Sequence, residues 1–520
     1  MKKIFVLFIS VASVFALSSC LKDAEPTDYI TQEHLDEVLE EHPEKFAALV
    51  QSIYSDIQNY EDVGQSHNYF GQMGFNYLTS LMGNDMCMTG RYGMSIYHHL
   101  LDYWQHNYNP TLIRWRENYR HIANANAILR SAPADSEDAE TLYYRATALG
   151  IRAYSYLHLS YLYQFSYYVG ADDTKWGKSA KYNHANDPLA PLILEDTTED
   201  QPRATVKTIF DQIVADFKEA YEIFDAIGAV HTSDPSDFDG CVVANYLTRV
   251  YMIMHEWAEA EKYAAVIMEE FAPLTSQNDI LQGFSDINLS DVVWGCDITT
   301  DNTGIYRSWF SMMDYFGDGY AGIGVWRVAF KPLVDRIADT DVRRMWFLDD
   351  RNPYKPIRAK AYQAIKFIGA GRPKVFSSAT FDGTGWELGD YIYLRSEEAY
   401  FNYMECLAHE GNLEMAVAYL EAVMKTRQED YAYAGEMTKA DVIEEINFQK
   451  RVEFWGEGIE FLDNRRLNIP VDRTDATWGD ANNHFSGAKL KAEQESENFL
   501  YQIPDSEIEN NKMITEADQN

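Results

Sequence analysis

Residues 317–322 match the GxGxxG pattern that holds the pyrophosphate of a dinucleotide cofactor. Such a site needs a hydrophobic strand before the glycines and a helix after them, so that backbone amides meet the phosphates. The residues that precede this stretch include Trp309, Met312 and Asp314, which do not form the pattern of a buried strand. We therefore expect a flexible aromatic loop here and no nucleotide cofactor.

Other catalytic motifs are incomplete. His255-Glu256 is followed by Glu259 at the position where a zinc protease needs its second histidine. His98 and His99 are adjacent, so on a helix they point to different faces and do not form a metal site together. The sequence has neither a GxSxG motif nor a P-loop. We expect no metal centre and no enzyme. An α-helical glycoside hydrolase stays open, because one sequence does not show which of its 81 acidic residues would form a catalytic pair.

Aromatic side chains are concentrated in a stretch that is also rich in glycine. Nine of the 37 residues 294–330 are aromatic, compared with 14% of the whole chain. Helical periodicity is weak over residues 280–390, where residues 292–294 and 391–393 resemble short strands. Tyrosine and tryptophan combine a flat apolar face with a polar group, and long loops on a rigid scaffold usually carry function. The stretch therefore predicts a recognition surface.

The formal net charge of −37 constrains the partners. A negative field of this size repels nucleic acid and anionic lipid headgroups. We expect no nucleic-acid partner. The charge favours a neutral or cationic ligand, although it also serves solubility at a crowded surface.

The amino terminus resembles a bacterial lipoprotein signal. Lys2 and Lys3 precede an apolar run, 4–17, which is too short to span a bilayer. Leu17-Ser18-Ser19-Cys20 resembles a lipobox, so we expect residues 1–19 to be a signal peptide and Cys20 to carry the lipid. Several acyl chains on one residue give firm anchoring. Residues 20–40 are polar and acidic and are interpreted as a tether.

The remaining cysteines are far apart in the sequence and show no metal-ligand spacing. We expect buried thiols that form neither a disulfide scaffold nor a zinc site. They are Cys87, Cys241, Cys296 and Cys406.

Amphipathic patterns predict a mostly helical chain. Apolar residues recur at helical spacing after Pro43, from about 137 to 165 and from about 205 to 227. Two later segments repeat each other at an offset of 156 residues. The first repeat contains Tyr251, His255, Trp257 and Ala260, and the second contains Leu407, Gly411, Leu413 and Ala416. This large–turn–large–Ala spacing is typical of tetratricopeptide helix pairs, in which alanine lets two helices approach closely.

Several segments, in a consistent order, resemble the SusD/RagB family. Tyr393-Leu394-Arg395 before Glu398, the run from Arg451 to Gly458, and Ile503-Pro504-Asp505-Ser506-Glu507 are similar to motifs of that family. In the first half the similar residues are Trp115, Tyr119, Ile122, Asn126 and the run from Arg203 to Val206. Gln449, Lys450 and Glu460 depart from the usual Glu, Arg and Arg. Because these positions look like part of a buried ion-pair network, the departures concern local pairing more than function.

The resemblance implies a SusD-like α-helical fold with tetratricopeptide-like helix pairs and loop-rich binding surfaces. It implies a single domain over 41–520, with halves at about 41–235 and 236–520. SusD-like proteins are lipoproteins on the outer face of the outer membrane. They cap a SusC-like TonB-dependent transporter and deliver glycans to it, or peptides in the RagB-like branch, without covalent chemistry.

The family also implies where ligand binds, namely on loop-rich segments that correspond here to about 65–110 and 285–330. Trp309 is our first candidate, because it lies in a polar loop close to Arg307, and Trp104 is the second. The other aromatic candidates are Tyr92, Tyr306, Tyr315, Tyr320 and Trp326. Asp85, Arg91 and Asn302 are candidates for hydrogen bonds to sugar hydroxyls. Trp115, Trp257 and Trp455 lie on helical stripes and are interpreted as core.

Overall fold

The structure, a computed structural model, describes residues 45–59, 67–102, 104–169, 182–299, 301–302, 306–317, 319–352, 360–369 and 388–520. Residues Phe46–Asn520 form one compact unit. The predicted signal peptide, the lipidation site at Cys20 and the tether lie outside the described residues. The division into two halves near residue 236 stays a prediction.

The described chain is mostly α-helical, which confirms the predicted fold class. The helices up to residue 280 are α1 (Phe46–Asn59), α2 (Gly71–Ser80), α3 (Ser95–Leu100), α4 (Asn109–Ser131), α5 (Ala139–Tyr163), α6 (Val206–Ala226), α7 (Gly240–Ile253), α8 (Trp257–Glu270) and α9 (Gln277–Ile280). Those that follow are α10 (Trp309–Met313), α11 (Lys331–Arg336), α12 (Ser396–His409), α13 (Leu413–Met424), α14 (Lys439–Glu453), α15 (Ile459–Leu467), α16 (Asp475–Trp478) and α17 (Asp505–Asn510).

Short strands lie between these helices. They are β1 (Met86–Met88), β2 (Tyr168–Val169), β3 (Tyr182–Asn183), β4 (Pro188–Pro191), β5 (Arg203–Thr205), β6 (Val292–Cys296), β7 (Arg327–Ala329), β8 (Phe347–Leu348), β9 (Gln363–Ala364), β10 (Tyr391–Arg395), β11 (Val471–Asp472) and β12 (Lys491–Ala492). One sheet has the order β1-β7-β9-β8. The two predicted strands are confirmed as β6 and β10, which pair antiparallel and bury Trp294.

The two sequence repeats form equivalent helix pairs. In α7–α8 and α12–α13 the second helix starts at the equivalent residues Trp257 and Leu413. The turns contain His255 at φ 59° and Gly411 at φ 89°, so the same repeat position takes a left-handed conformation in both pairs. Ala260 and Ala416 are fully buried. The tetratricopeptide-like pairing is therefore confirmed.

Amphipathic spacing explains how the first half packs. In α6, Ile209, Ile213, Phe217 and Phe224 share one face and are fully buried. The side chain of Thr205 caps this helix by accepting a hydrogen bond from the amide of Thr208. Helix α5, buried from Ala146 onward, lies between α4 and α6.

The motif residues of the second half meet in a buried ion network. We use this name for four cations, Arg343, Lys366, Arg395 and Arg427, with five acids, Asp291, Asp341, Glu397, Glu453 and Glu457. The cations are 0–1% exposed. Of the residues that depart from the family pattern, Gln449 accepts a hydrogen bond from Arg343, and Lys450 pairs with Asp463 at 2.8 Å. The third, Glu460, accepts a hydrogen bond from the amide of Asp85 at 3.1 Å, so all three positions have structural contacts, although none is a member of the network itself.

The four described cysteines are free thiols, as expected. Cys87, Cys241 and Cys406 are buried, whereas Cys296 is half-buried.

In the described part of the chain, no helix combines the length and the apolar character that crossing a membrane requires. Trp115 and Trp455 lie in the core as predicted, while Trp257 is half-buried and stacks on His409.

Candidate ligand-binding site

A pocket of about 470 Å³ opens beside the pairing of β1 with β7. Its size falls within the range of small-ligand sites, about 300–1,000 Å³. Strand β1 leads into the segment 91–95, which forms one side, and α10, Tyr320 and β7 form the other. The described residues that line it are His67, Asn68, Arg91, Tyr92, Gly93, Met94, Ser95, Met312, Tyr320, Val325 and Arg327.

Three rings form an aromatic rim at this pocket: His67, Tyr306 and Tyr320. The rings of His67 and Tyr306 are nearly parallel, with centroids 5.9 Å apart and planes inclined by 8°. The Tyr320 hydroxyl lies 2.7 Å from Nδ1 of His67, and its ring centroid lies 5.6 Å from that of Tyr306. Tyr306 is 46% exposed. The rim therefore combines accessible ring faces with polar groups at their edges.

Two guanidinium groups line the same pocket. Arg91 is exposed, and its side chain makes no ion pair or hydrogen bond with the described residues. Arg327 is 1% exposed and donates to the hydroxyl of Tyr77 and the carbonyl of Val325. Its Nε has no hydrogen-bond partner among the described residues. Neither arginine has a carboxylate partner in the described part of the chain.

Four sequence candidates therefore lie at this pocket. Arg91, Tyr92 and Tyr320 line it, and Tyr306 stacks on the lining residue His67. These residues come from both of the segments that the resemblance indicated. Their role in binding ligand stays a prediction.

Trp309, the first candidate, lies in the core. It begins α10, is 1% exposed, and packs against Phe367 with ring centroids 4.9 Å apart. Ser308 caps this short helix through the amide of Ser311, a local structure that we did not predict. We expected Trp309 to lie in an exposed loop, and this prediction is wrong. The ring is buried at the start of a helix and has no face available to a ligand. The GxGxxG stretch follows α10 and not a strand.

Trp104, the second candidate, is also buried, with 4% of its surface exposed. Its ring stacks on Tyr501 at 4.4 Å, and its Nε1 donates to the carbonyl of Asn498 at 2.7 Å. His98 packs edge-on against it. Only its periphery reaches a smaller, polar cavity of about 290 Å³. A stacking role for Trp104 is therefore also corrected.

The remaining candidates have structural contacts away from the pocket. Asp85 is 2% exposed and pairs with Arg451, so it is not available to sugar hydroxyls. Asn302 is exposed, but its side chain accepts from the amide of Thr299 at 2.7 Å and so closes a local turn. Tyr315 packs on the cluster of Leu348, Ile365 and Ile368, and Trp326 packs on that of Cys87, Val328 and Phe330.

Two residues of the pocket that can be charged were not among the sequence candidates, His67 and Arg327. Both lie inside the segments that were named, 65–110 and 285–330. No local pattern distinguishes Arg327, because its position at the pocket depends on the register Met88↔Arg327 between strands that are far apart in sequence. His67 reaches the site through its contacts with Tyr306 and Tyr320.

Comparison with protein families finds two matching models. Residues 360–520 match a model described as the SusD family, and residues 32–252 match one described as starch-binding associating with outer membrane. The chain belongs to the SusD/RagB family. No curated protein sequence matches the chain.

Solved structures share the fold of this SusD-like chain. A SusD-like carbohydrate binding protein from Bacteroides vulgatus is 19% identical, with a TM-score of 0.71 over 91% of this chain and 97% of that one. A SusD superfamily protein from Bacteroides thetaiotaomicron is 20% identical, with a TM-score of 0.70 and coverages of 92% and 99%. Surface glycan-binding protein A from Bacteroides uniformis is 15% identical, with a TM-score of 0.61 and coverages of 92% and 99%.

Proposed function

We propose that this protein captures an oligosaccharide or polysaccharide at the cell surface and delivers it to a SusC-like TonB-dependent transporter. In this proposal Cys20 carries the lipid that anchors the chain to the outer membrane. The family model described as starch-binding associating with outer membrane supports both the ligand class and the location.

The aromatic rim is the observation that carries the proposal. Sugar rings have apolar C–H faces and polar edges, so they stack on aromatic faces and form hydrogen bonds around the periphery. Tyr306 offers an accessible ring, and His67 and Tyr320 place polar atoms beside it. The pocket below the rim has room for one or two sugar units by the usual volumes of ligand sites, about 300–1,000 Å³.

We propose binding without hydrolysis. Most glycoside hydrolases act through a pair of carboxyl groups that flank the scissile bond. The described lining of the pocket contains neither Asp nor Glu. Capture and release of an unchanged ligand fits this lining better than acid–base catalysis.

Isothermal titration of the purified full chain in mild detergent against a panel of glycans tests the proposal. We expect Tyr306→Ala to weaken binding about tenfold, because an aromatic contact contributes about 1 kcal/mol or more and 1.4 kcal/mol corresponds to tenfold. Tyr108→Ala is the matched control, since Tyr108 is 39% exposed and does not line the pocket.

If both variants lose the same affinity for glycan, or if neither loses any, the aromatic rim is not part of the binding site. Binding of peptides without any glycan would replace the proposal by the peptide-capturing alternative. The appearance of new reducing ends during incubation with a bound glycan would show hydrolysis and contradict a purely binding role.

A further inference from the structure

The pocket is electrostatically unlike the rest of the molecule. The chain carries a formal net charge of −37, with 81 acidic against 44 basic residues. Among the described residues that line the pocket, the formally charged side chains are two arginines, Arg91 and Arg327. Exposed charges are largely screened beyond about 8 Å at physiological ionic strength, so among the described residues these two groups dominate the field that a ligand in the pocket experiences.

Arg327 is the informative residue, because it is buried and has no carboxylate partner among the described residues. A buried charge is ordinarily paired with an opposite charge, since removing an ion from water costs several kcal/mol. The partners of Arg327 are the neutral oxygens of Tyr77 and Val325, together with Sδ of Met312 at 3.7 Å. Its guanidinium also lies 4.9 Å from the centroid of the Tyr77 ring, and its Nε donates to no described residue. These contacts hold the group in place, and none of them brings a negative charge to it.

Several other arginines of the described chain pair with a carboxylate, whereas the buried Arg465 and Arg473 donate to backbone carbonyls. Arg152 pairs with Asp216 at 2.7 Å, Arg249 with Glu398 at 2.6 Å, and Arg466 with Glu405 at 2.6 Å. Arg327 is at least as buried as these three arginines, but it lines an open pocket. An arginine fork matches the planar geometry of a carboxylate and also binds sulfate.

The geometry points to an anionic sugar, one that carries a carboxylate or a sulfate group, as the ligand of this pocket. The inference rests on the proposed function and names its substrate class. The anionic group meets Arg327 at the pocket wall and Arg91 at the mouth, while a sugar face lies against the aromatic rim. The expectation of a neutral or cationic ligand, drawn from the net charge, is replaced at this site by the local charges.

Three groups of polysaccharide test the inference on the purified full chain in mild detergent. Polygalacturonate and alginate carry carboxylates only, dextran sulfate carries sulfates only, and starch and galactan are neutral. The carboxyl-reduced form of each uronate polymer keeps its linkage and loses its charge. We expect at least one anionic polymer to bind, and at least tenfold weaker binding after its charged group is removed.

Matched variants assign the binding to the two arginines. Arg91→Gln should weaken binding of the anionic polymer about threefold to tenfold and reduce its dependence on salt. Arg116→Gln is the control, because Arg116 is exposed on α4 and does not line the pocket. Arg327→Met should weaken binding of the anionic polymer more than Arg91→Gln does, with neutral polymers unaffected by either.

The outcomes separate this inference from the proposed function. Binding of neutral glycans that equals or exceeds binding of anionic ones overturns the inference and leaves glycan capture standing. Binding of acidic peptides with no glycan binding overturns both. Absence of binding to every polymer also overturns the inference, because each type of anionic group is represented.

Discussion

The buried cations of the ion network and the buried Arg327 at the pocket differ in what surrounds them. In the ion network, four buried cations meet five carboxyl groups, and Glu453 alone contacts Arg343, Arg395 and Arg427. At the pocket, Arg327 is equally buried and meets neutral oxygens. The network cations are compensated by carboxyl groups of the fold. Arg327 has no carboxylate partner among the described residues and lines the pocket, and in our inference its charge serves a ligand.

The largest expected effect tests the compensated group. Burial alone would raise the pKa of Glu453, but the guanidinium groups of Arg427, Arg395 and Arg343 hold it below its ordinary value. Glu453→Gln removes the shared counter-charge, so we expect the free energy of unfolding to fall by about 3–5 kcal/mol. Urea-induced unfolding followed by tryptophan fluorescence measures this change.

The matched control removes a charge from an exposed pair. Lys207 and Asp211 are 2.6 Å apart on the surface of α6, and both are more than half exposed. Asp211→Asn should leave the unfolding midpoint unchanged, because solvent screens such a pair. If the two variants lose similar stability, the ion network is not the special structural element that we describe.

Features that depend on local spacing could be predicted from the sequence, whereas those that depend on long-range contacts could not. The helix pairs are encoded locally, since Ala260 and Ala416 occupy the same place in a repeated spacing. The burial of Trp309 and the exposure of Tyr306, only three residues apart, are not encoded in this way. Trp309 packs against Phe367, and its backbone amide donates a hydrogen bond to the hydroxyl of Tyr391; both partners are distant in sequence. Residue types therefore indicated which segment lines the pocket. Which of its side chains are exposed there depends on packing against residues that are distant in sequence.

A third kind of buried group belongs to the scaffold and makes no side-chain hydrogen bond with the described residues. His121 on α4 is 1% exposed, and neither ring nitrogen has a hydrogen-bond partner among the described residues. Burial, aided by the charges of Arg120 and Arg114, lowers its pKa to about 3. The unfolded chain takes up this proton near pH 6.5, so the neutral ring contributes stability above that pH. The contribution is lost as pH falls from about 6.5 toward 3, at about 1.4 kcal/mol per pH unit.

His121→Phe removes this titration while it keeps a ring of similar shape. Between pH 7 and pH 5, we expect the free energy of unfolding of the variant to fall by about 2 kcal/mol less than that of the parent. At pH 7 the variant should be as stable as the parent or slightly more so, because an unsatisfied polar ring is replaced by an apolar one. Parallel pH profiles of the two proteins would contradict the assignment.

A small effect on stability is expected at Arg327, which has no carboxylate partner among the described residues. Arg327→Met loses the hydrogen bonds to Tyr77 and Val325, each with a net value of about 1 kcal/mol. It also ends the cost of holding an unpaired cation away from water, which offsets that loss. We therefore expect the free energy of unfolding to stay within about 1 kcal/mol of the parent, far from the loss in Glu453→Gln.

A large loss of stability in Arg327→Met would show that this arginine supports the fold as the network arginines do. It would contradict the difference that we draw between Arg327 and the ion network. Arg395→Met is the reference for that behaviour, because it leaves buried carboxylates without their partner. Urea unfolding of the two variants side by side distinguishes a cation used by the fold from one kept for a ligand. A stable Arg327→Met protein that no longer binds anionic sugar would establish that difference at a single residue.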